Sequence, residues 1–296
     1  MTVIAVVLAL LLERALWHAL HLRESGWVAG YYQWLSSRVE ASGAALQVIG
    51  CIAGLLLLVL PVALAAFALD RWLPSLTWVI FAALVLVFSL GPRDLDKELE
   101  DYIAAETTGD TERARSAAAV IIEHDAAQRL EARAESVEEA AFVQANNRLF
   151  GVLFWFVLLG PTGLGPVAAW LFRASDLLRR AAIADTSPLP AIAGAFERMH
   201  FLLAWLPARL VALSYAIAGS FEEARREMGR GAGAVGRMLE RNDLLLVLAG
   251  RGALAKIDTA AVGVAAPAQG ALRLIRRSLL IWLTVIALLS LVAWVA

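Results

Sequence analysis

The chain has 296 residues, 60% of them hydrophobic and 18% charged, with a mean hydropathy of +0.69. A soluble domain uses about 45–50% apolar and about 25% charged residues, so this excess reads as membrane-embedded and excludes disorder, collagen and a disulfide scaffold. The formal net charge of −1 gives no reason to expect nucleic acid as a partner, and the single cysteine, Cys51, excludes an internal disulfide.

In chain order, Thr2–Leu12 is apolar, Glu13 and Arg14 intervene, and Ala15–Leu20 is apolar again apart from His18. No positive charge precedes this run and no small-residue cleavage site follows it. It reads as a membrane-buried helix with Glu13 near its middle, not as a signal peptide. Residues 22–40 read as an interfacial helix, because Trp27, Tyr31, Tyr32 and Trp34 suit the headgroup boundary. Ala41–Leu69 carries no charge over 29 residues. At about 1.5 Å per residue it exceeds a hydrocarbon core of about 30 Å and must tilt or project, and Pro61 is a candidate kink. Asp70, Arg71 and Pro74 mark a turn before Trp72–Pro92, the second uncharged run of 21 residues. Residues 1–92 are thus expected to form N-terminal membrane helices ending in a transmembrane hairpin over 41–92.

Residues 93–147 contain 14 acidic and 6 basic residues, a net of −8, and read as a helical cytoplasmic segment. Thr108-Gly109-Asp110-Thr111 breaks its helix, and Ser136-Val137-Glu138-Glu139 fits a capping box. Residues 148–220 read as broken membrane helices. Leu149–Phe172 is interrupted by Gly160-Pro161-Thr162-Gly163-Leu164-Gly165-Pro166, and Met199–Gly219 is apolar except for Arg209, two residues after Pro207. Residues 221–277 contain 6 acidic and 10 basic residues, a net of +4, and read as a second helical cytoplasmic segment. Its charge predicts docking on residues 93–147, the alternative being anionic lipid. Residues 278–296 are the last span. Arg273, Arg276 and Arg277 before it point to the cytoplasm, which puts the C-terminus outside. The N-terminus is also outside if Leu149–Gly219 makes an even number of crossings or only re-entrant pieces. The expected fold class is therefore an all-α, polytopic integral membrane protein with broken or re-entrant helices. Gly50 and Gly54, four apart, can support helix packing within the chain or in a homodimer.

Several catalytic signatures are missing. No Walker-type phosphate loop, nucleophile elbow, H-E-x-x-H or C-x-x-C occurs. His18, His21 and Glu24 share a helical spacing, but His beside Trp17 and Trp27 fits the interface better than a metal site. Gly231, Gly233 and Gly236 spell G-x-G-x-x-G without a preceding strand, and so read as helix-packing residues.

The candidate site residues are polar groups at or inside apolar runs. Glu13 is a carboxylate within an apolar helix and therefore a functional candidate or half of a buried ion pair. A bare Arg facing lipid costs about 2.5–3.5 kcal/mol, so Arg209 is expected to face protein or a polar cavity, with Glu13 one candidate partner. Asp176 with Arg173, Arg179 and Arg180 is either a site or an interfacial charge cluster, and composition favours the cluster. Asn146, Asn147 and Arg148 open the third apolar run, and Arg93, Asp94 and Tyr102 follow the second.

Four strings resemble the AmpE family of bacterial inner-membrane proteins. They are Leu11-Leu12-Glu13-Arg14; Gly91-Pro92-Arg93-Asp94-Leu95 with Tyr102; Asn146-Asn147-Arg148-Leu149-Phe150-Gly151-Val152-Leu153-Phe154-Trp155; and Trp205-Leu206-Pro207-Ala208-Arg209-Leu210. Their order and spacing extend the resemblance over essentially the whole chain. It implies a modulator of β-lactamase induction in the inner membrane, linked to a cytoplasmic amidase of cell-wall recycling. Such a modulator would bind a small-molecule or lipid ligand in an intramembrane cavity lined by Glu13, Asp176 and Arg209, with Arg93, Asp94, Asn146, Asn147, Arg173 and Trp205 as further candidates.

The chain is also similar, more remotely, to the CobD/CbiB synthases, which join an amino-alcohol to the corrin ring in cobalamin assembly. Leu206-Pro207-Ala208-Arg209-Leu210 matches their Ile-Pro-Ala-Arg-Leu, and Asp176 falls on the Asp of their Asn-Thr-Leu-Asp-Ser motif. Where they carry an Asp-Asp pair this chain has His200 and Phe201, and where they carry Glu-Asn it has Ala145 and Asn146. This second resemblance implies an amide synthase or transferase dependent on magnesium and ATP. A small transporter with discontinuous helices is a third expectation, and no cofactor is required by the sequence itself.

Overall fold

A computed structural model describes Ala5, Leu8 and Ala9 and residues 26–72, 75–90, 95–122, 133–185, 189–231, 242–255 and 263–295. Among these residues every regular element is helical: α1 (Gly26–Val39), α2 (Ala44–Trp72), α3 (Ser75–Ser89), α4 (Leu95–Thr108), α5 (Thr111–Ile122), α6 (Arg133–Ala145), a π-helical turn (Asn146–Phe150), α7 (Gly151–Leu158), a 3₁₀ turn (Gly160–Thr162), α8 (Gly165–Ala184), α9 (Pro190–Ala218), α10 (Phe221–Gly231), α11 (Asn242–Leu254) and α12 (Ala266–Val295). Among the described residues, four stretches are long and apolar enough to cross a membrane: Ala44–Leu69, Ala134–Leu158, Pro190–Ala218 and Ala266–Leu291. The all-α, multi-pass architecture expected from composition is therefore present. The outward face of α2 carries Ile49, Ile52, Leu56, Leu60 and Leu64, all exposed, and α12 carries Leu280, Leu288 and Leu291 likewise. Such faces are stable against lipid and not against water.

Several boundaries differ from the charge-free runs. The third span begins at Ala134, well before Leu149, because the end of the acidic segment continues through the π-helical turn into α7 and is buried by protein. Ser136 lies inside α6 and is not its cap. The two glutamates that follow it are drawn to Arg251 instead, Glu138 at 3.4 Å and Glu139 at 3.2 Å. The break at Thr108-Gly109-Asp110-Thr111 is present, with Asp110 Oδ1 accepting from the Arg113 amide at 3.1 Å at the start of α5. The glycine-proline interruption is a turn between α7 and α8, where Gly163 takes φ of 76°.

The chain divides into two compact units, 1–92 with 147–204 and 290–296, and 93–146 with 205–289. In the first, α8 packs on α1, α2, α3 and α7. Its small residues Ala168, Ala169, Ala174 and Ala182 allow this close approach, and all are buried. Trp170 Nε1 donates to the Leu58 carbonyl at 3.0 Å, and Trp155 Nε1 to that of Leu203 at 3.0 Å. Gly50 and Gly54 pack within the chain: an added Cβ would strike Val39 and Leu35 of α1. Cys51 is buried in the same cluster.

In the second unit α4, α5 and α6 form one layer, and α10 and α11 pair closely. Tyr215 donates to the Phe142 carbonyl at 3.2 Å, and the Ser220 amide to that of Ala253 at 2.9 Å. The expected contact between the two oppositely charged segments is made here. Arg251 reaches Glu135, Glu138 and Glu139, and Arg276 reaches Asp96 and Glu100.

Candidate functional site

The densest buried polar cluster described lies in the first unit. Arg173, Asp176, Arg179 and Arg180 follow i, i+3, i+6 and i+7 spacing, which puts them on one face of α8. The Asp176 carboxylate is fully buried and gathers three guanidiniums. Arg173 Nη1 lies 3.0 Å from Oδ2, Arg180 Nε 2.7 Å from Oδ2, and Arg179 Nη2 2.8 Å from Oδ1. The reading as an interfacial charge cluster is corrected accordingly: Asp176 is 0% and Arg173 3% exposed. Alpha8 lies outside the four candidate spans. Burial by itself would push the Asp176 carboxyl up, but the charges of Arg180, Arg179 and Arg173 outweigh it and hold the group ionised, well below the usual carboxylate range.

Two further segments close on this face. From α9, His200 Nδ1 lies 3.1 Å from Ser175 Oγ, and Nε2 lies 3.8 Å from Asp176 Oδ1. Ser175 donates to the Phe172 carbonyl at 2.7 Å, and the same hydroxyl oxygen is the atom in contact with His200 Nδ1. The Phe172 ring packs on the imidazole at 5.2 Å. From the π-helical turn, the side-chain amide of Asn147 faces His200 Nε2 at 3.3 Å. A π-helical turn widens a helix by one residue and recurs at functional positions. This one buries Asn146, Asn147 and Arg148 together, although all three are polar.

Of the residues singled out in the sequence, Asn147, Arg173 and Asp176 therefore meet in one place, and Asn146 is buried in the adjoining turn. Trp205 and Arg209 belong to the second unit. Arg209 Nη1 donates to the Trp205 carbonyl at 2.6 Å and to Asn242 Oδ1 at 3.0 Å, and its guanidinium lies 3.9 Å from the Trp205 ring centre. It faces protein, as its cost in lipid requires. Asp176 thus lies in the first unit and Arg209 in the second. Glu13, Arg93 and Asp94, with His18, His21 and Glu24, lie outside the described residues, as do the proposed Glu13–Arg209 pair and Gly233 and Gly236. Ser175 and His200 were not among the predicted site residues. The signal for His200 was a lone imidazole within the apolar run from Met199.

A magnesium site does not fit the described residues. No group of three or more His, Cys, Asp or Glu is placed to hold an ion among them. Asp176 is already committed to three cations, which would repel a fourth. The cluster is suited instead to fixing an ionised carboxylate beside an imidazole in a dry setting, with Arg179 and Arg180 its more accessible members at 19% and 14% side-chain exposure.

Comparison with known proteins places the chain in a family. The model for the CobD/Cbib protein family matches residues 3–242. A cobalamin biosynthesis protein CobD of Chromobacterium violaceum is 33% identical over 168 residues, covering 56% of this chain and 52% of the relative. One of Stutzerimonas stutzeri is 30% identical over 201 residues, covering 62% of this chain and 64% of the relative. The chain thus spans between half and two thirds of the length of these curated relatives. No solved structure matches it. These matches correct the expectation of an AmpE-type regulator of β-lactamase induction. The family that aligns is the one expected only as a remote second resemblance, and both relatives are named for cobalamin biosynthesis. With 3–242 of its 296 residues matched, the chain belongs to the CobD/CbiB family.

Proposed function

We propose that this chain acts in cobalamin biosynthesis, as a membrane-embedded synthase that forms an amide between an amino-alcohol and a carboxyl group of a corrinoid, in the inner membrane of a bacterium. The observation that carries this reading is the coincidence of family and site. The whole buried network of Asn147, Arg173, Ser175, Asp176 and His200 falls inside the matched residues 3–242. Amide formation needs the carboxyl first activated by a nucleoside triphosphate, whose phosphate takes up the departing carboxyl oxygen, and then needs the activated carbonyl held still while the amine attacks and water is kept away. Arg179 and Arg180 offer planar donors that suit a carboxylate or phosphate. Asp176 fixes those guanidiniums, and the Ser175–His200–Asn147 contacts tie α8, which carries them, to α9 and the π-helical turn.

The test is complementation. A bacterial strain lacking its own CobD/CbiB-type synthase is supplied with this chain under conditions where growth requires completed cobalamin. Growth with the wild type and its loss in Asp176→Asn and Arg179→Gln supports the proposal. Membrane-inserted wild type that restores no growth overturns it.

A further inference from the structure

Helices α1 and α2 form an antiparallel pair, which sets the depth of one exposed face. Leu35 packs against Gly54 and Val39 against Gly50, so the chain descends α1 as it ascends α2. The turn between them is tied by the Ser42 amide donating to the Val39 carbonyl at 3.0 Å, and by Gln47 Nε2 donating to the carbonyls of Glu40 at 3.2 Å and Ser42 at 3.1 Å. Alpha2 is longer than a bilayer is thick. Asp70 and Arg71 mark its far boundary, and about 20 residues of helix span about 30 Å of hydrocarbon. Counting back from Asp70 puts the near boundary at Gly50, the level of Val39 and Arg38.

At that level Arg38 and Trp34 stand one helical turn apart on the outward face of α1, both exposed, Trp34 at 44%. The Arg38 guanidinium lies 5.4 Å from the Trp34 ring centre. Tyr31 holds the indole from the other direction, its ring centre 5.6 Å away and its own hydroxyl fixed on the Gly54 carbonyl at 2.7 Å. Glu40 is two positions beyond Arg38, so the two do not face each other along the helix. A cation braced on an aromatic face at the hydrocarbon boundary, with the indole one turn deeper, matches a phospholipid in both charge and polarity profile. We infer that Arg38 and Trp34 form a binding site for the phosphate of an anionic phospholipid, the indole covering the glycerol and upper acyl region. This inference is independent of the proposed synthase activity.

The experiment uses the full chain in phosphatidylcholine vesicles containing phosphatidylglycerol. The chain has ten tryptophans, so the Trp34 signal is the difference between wild type and Trp34→Phe. Quenching of that signal is compared for phosphatidylglycerol and phosphatidylcholine brominated near the headgroup end of the acyl chain, and for aqueous iodide. The inference expects about fivefold stronger quenching by the brominated phosphatidylglycerol, the scale of the attraction of one Arg to an anionic lipid surface. That preference is lost in Arg38→Gln and kept in Arg38→Lys, each variant checked for an unchanged melting temperature. Equal quenching by the two lipids, a preference that survives Arg38→Gln, or quenching by iodide without quenching by lipid would each overturn it.

Discussion

The two units solve opposite charge problems with mirror-image clusters. In the first, one carboxylate, Asp176, is surrounded by three guanidiniums and lies fully out of water. In the second, one guanidinium, Arg251, reaches three carboxylates, and its side chain remains 36% exposed, with Glu135 at 73%. The ions are the same and the surroundings differ. Buried charge is tolerated only with opposite charge beside it, and removing the one carboxylate here leaves three cations facing one another in a medium that solvates them poorly. Exposed charge is solvated with or without its partner, so its pairing adds little. The buried cluster is therefore a structure that function must justify, whereas the exposed one is a means of docking two helical segments of opposite sign.

The strongest test of this contrast is Asp176→Asn. It leaves three guanidiniums around a neutral amide, and the expected loss is about 3–5 kcal/mol of unfolding free energy. Denaturant unfolding in mild detergent measures it, and a loss below about 1 kcal/mol would place Asp176 among the surface pairs. The pH dependence follows from the direction of its shift. A depressed folded value stabilises the protein above the ordinary carboxylate value of 3.8, and that contribution is lost only as pH falls below it toward the folded value. The difference between wild type and Asp176→Asn is therefore expected to be constant from about pH 8 to about pH 5. A difference that shrinks within that window would mean that the carboxylate is not held by its arginines.

The helical class, the long apolar spans and the docking of 93–147 on 221–277 were legible because each rests on a local quantity, either the length of an uncharged run or net charge. The start of the third span was not, because Ala134–Ala145 is polar on paper and becomes buried only through tertiary packing. The site was half legible. Arg173, Asp176, Arg179 and Arg180 announce one helix face by spacing, but whether that face meets water or protein depends on α9 and the π-helical turn. Ser175 and His200 are 25 positions apart and share no local pattern, so only the fold brings them together. The functional expectation drawn from the first resemblance was wrong, and the second resemblance carried the family. Short strings favoured the AmpE resemblance, while the match over residues 3–242 supports the remoter one.

Arg209→Ala tests an intermediate case, a cation within a candidate span that bonds a carbonyl and a side-chain amide and lies over an indole ring. The variant removes the contact with the Trp205 ring and deprives buried Asn242 of a donor. Losing a hydrogen bond to a charged group costs about 1.5–3 kcal/mol, and the expected loss lies in that range, below that of Asp176→Asn. Arg209→Lys is expected to recover part of it, since an ammonium keeps the charge but not the planar fork. Unchanged unfolding of Arg209→Ala would mean that Asn242 is satisfied elsewhere.

The smallest effects are expected at the exposed pairs. Arg251→Ala and Arg276→Ala should each cost no more than about 1 kcal/mol, although Arg251 touches three carboxylates and Arg276 two. Their signature is salt dependence. Screening shortens the reach of exposed charges to about 8 Å at physiological ionic strength and about 3 Å at 1 M. The gap between wild type and either variant should thus narrow as salt is raised, whereas the Asp176→Asn gap should hold. If Arg251→Ala instead costs as much as Asp176→Asn and is insensitive to salt, Glu138, at 12% side-chain exposure the least accessible of its partners, behaves as a buried carboxylate. The contrast between the units would then rest on the number of opposite charges around each centre and not on access to water.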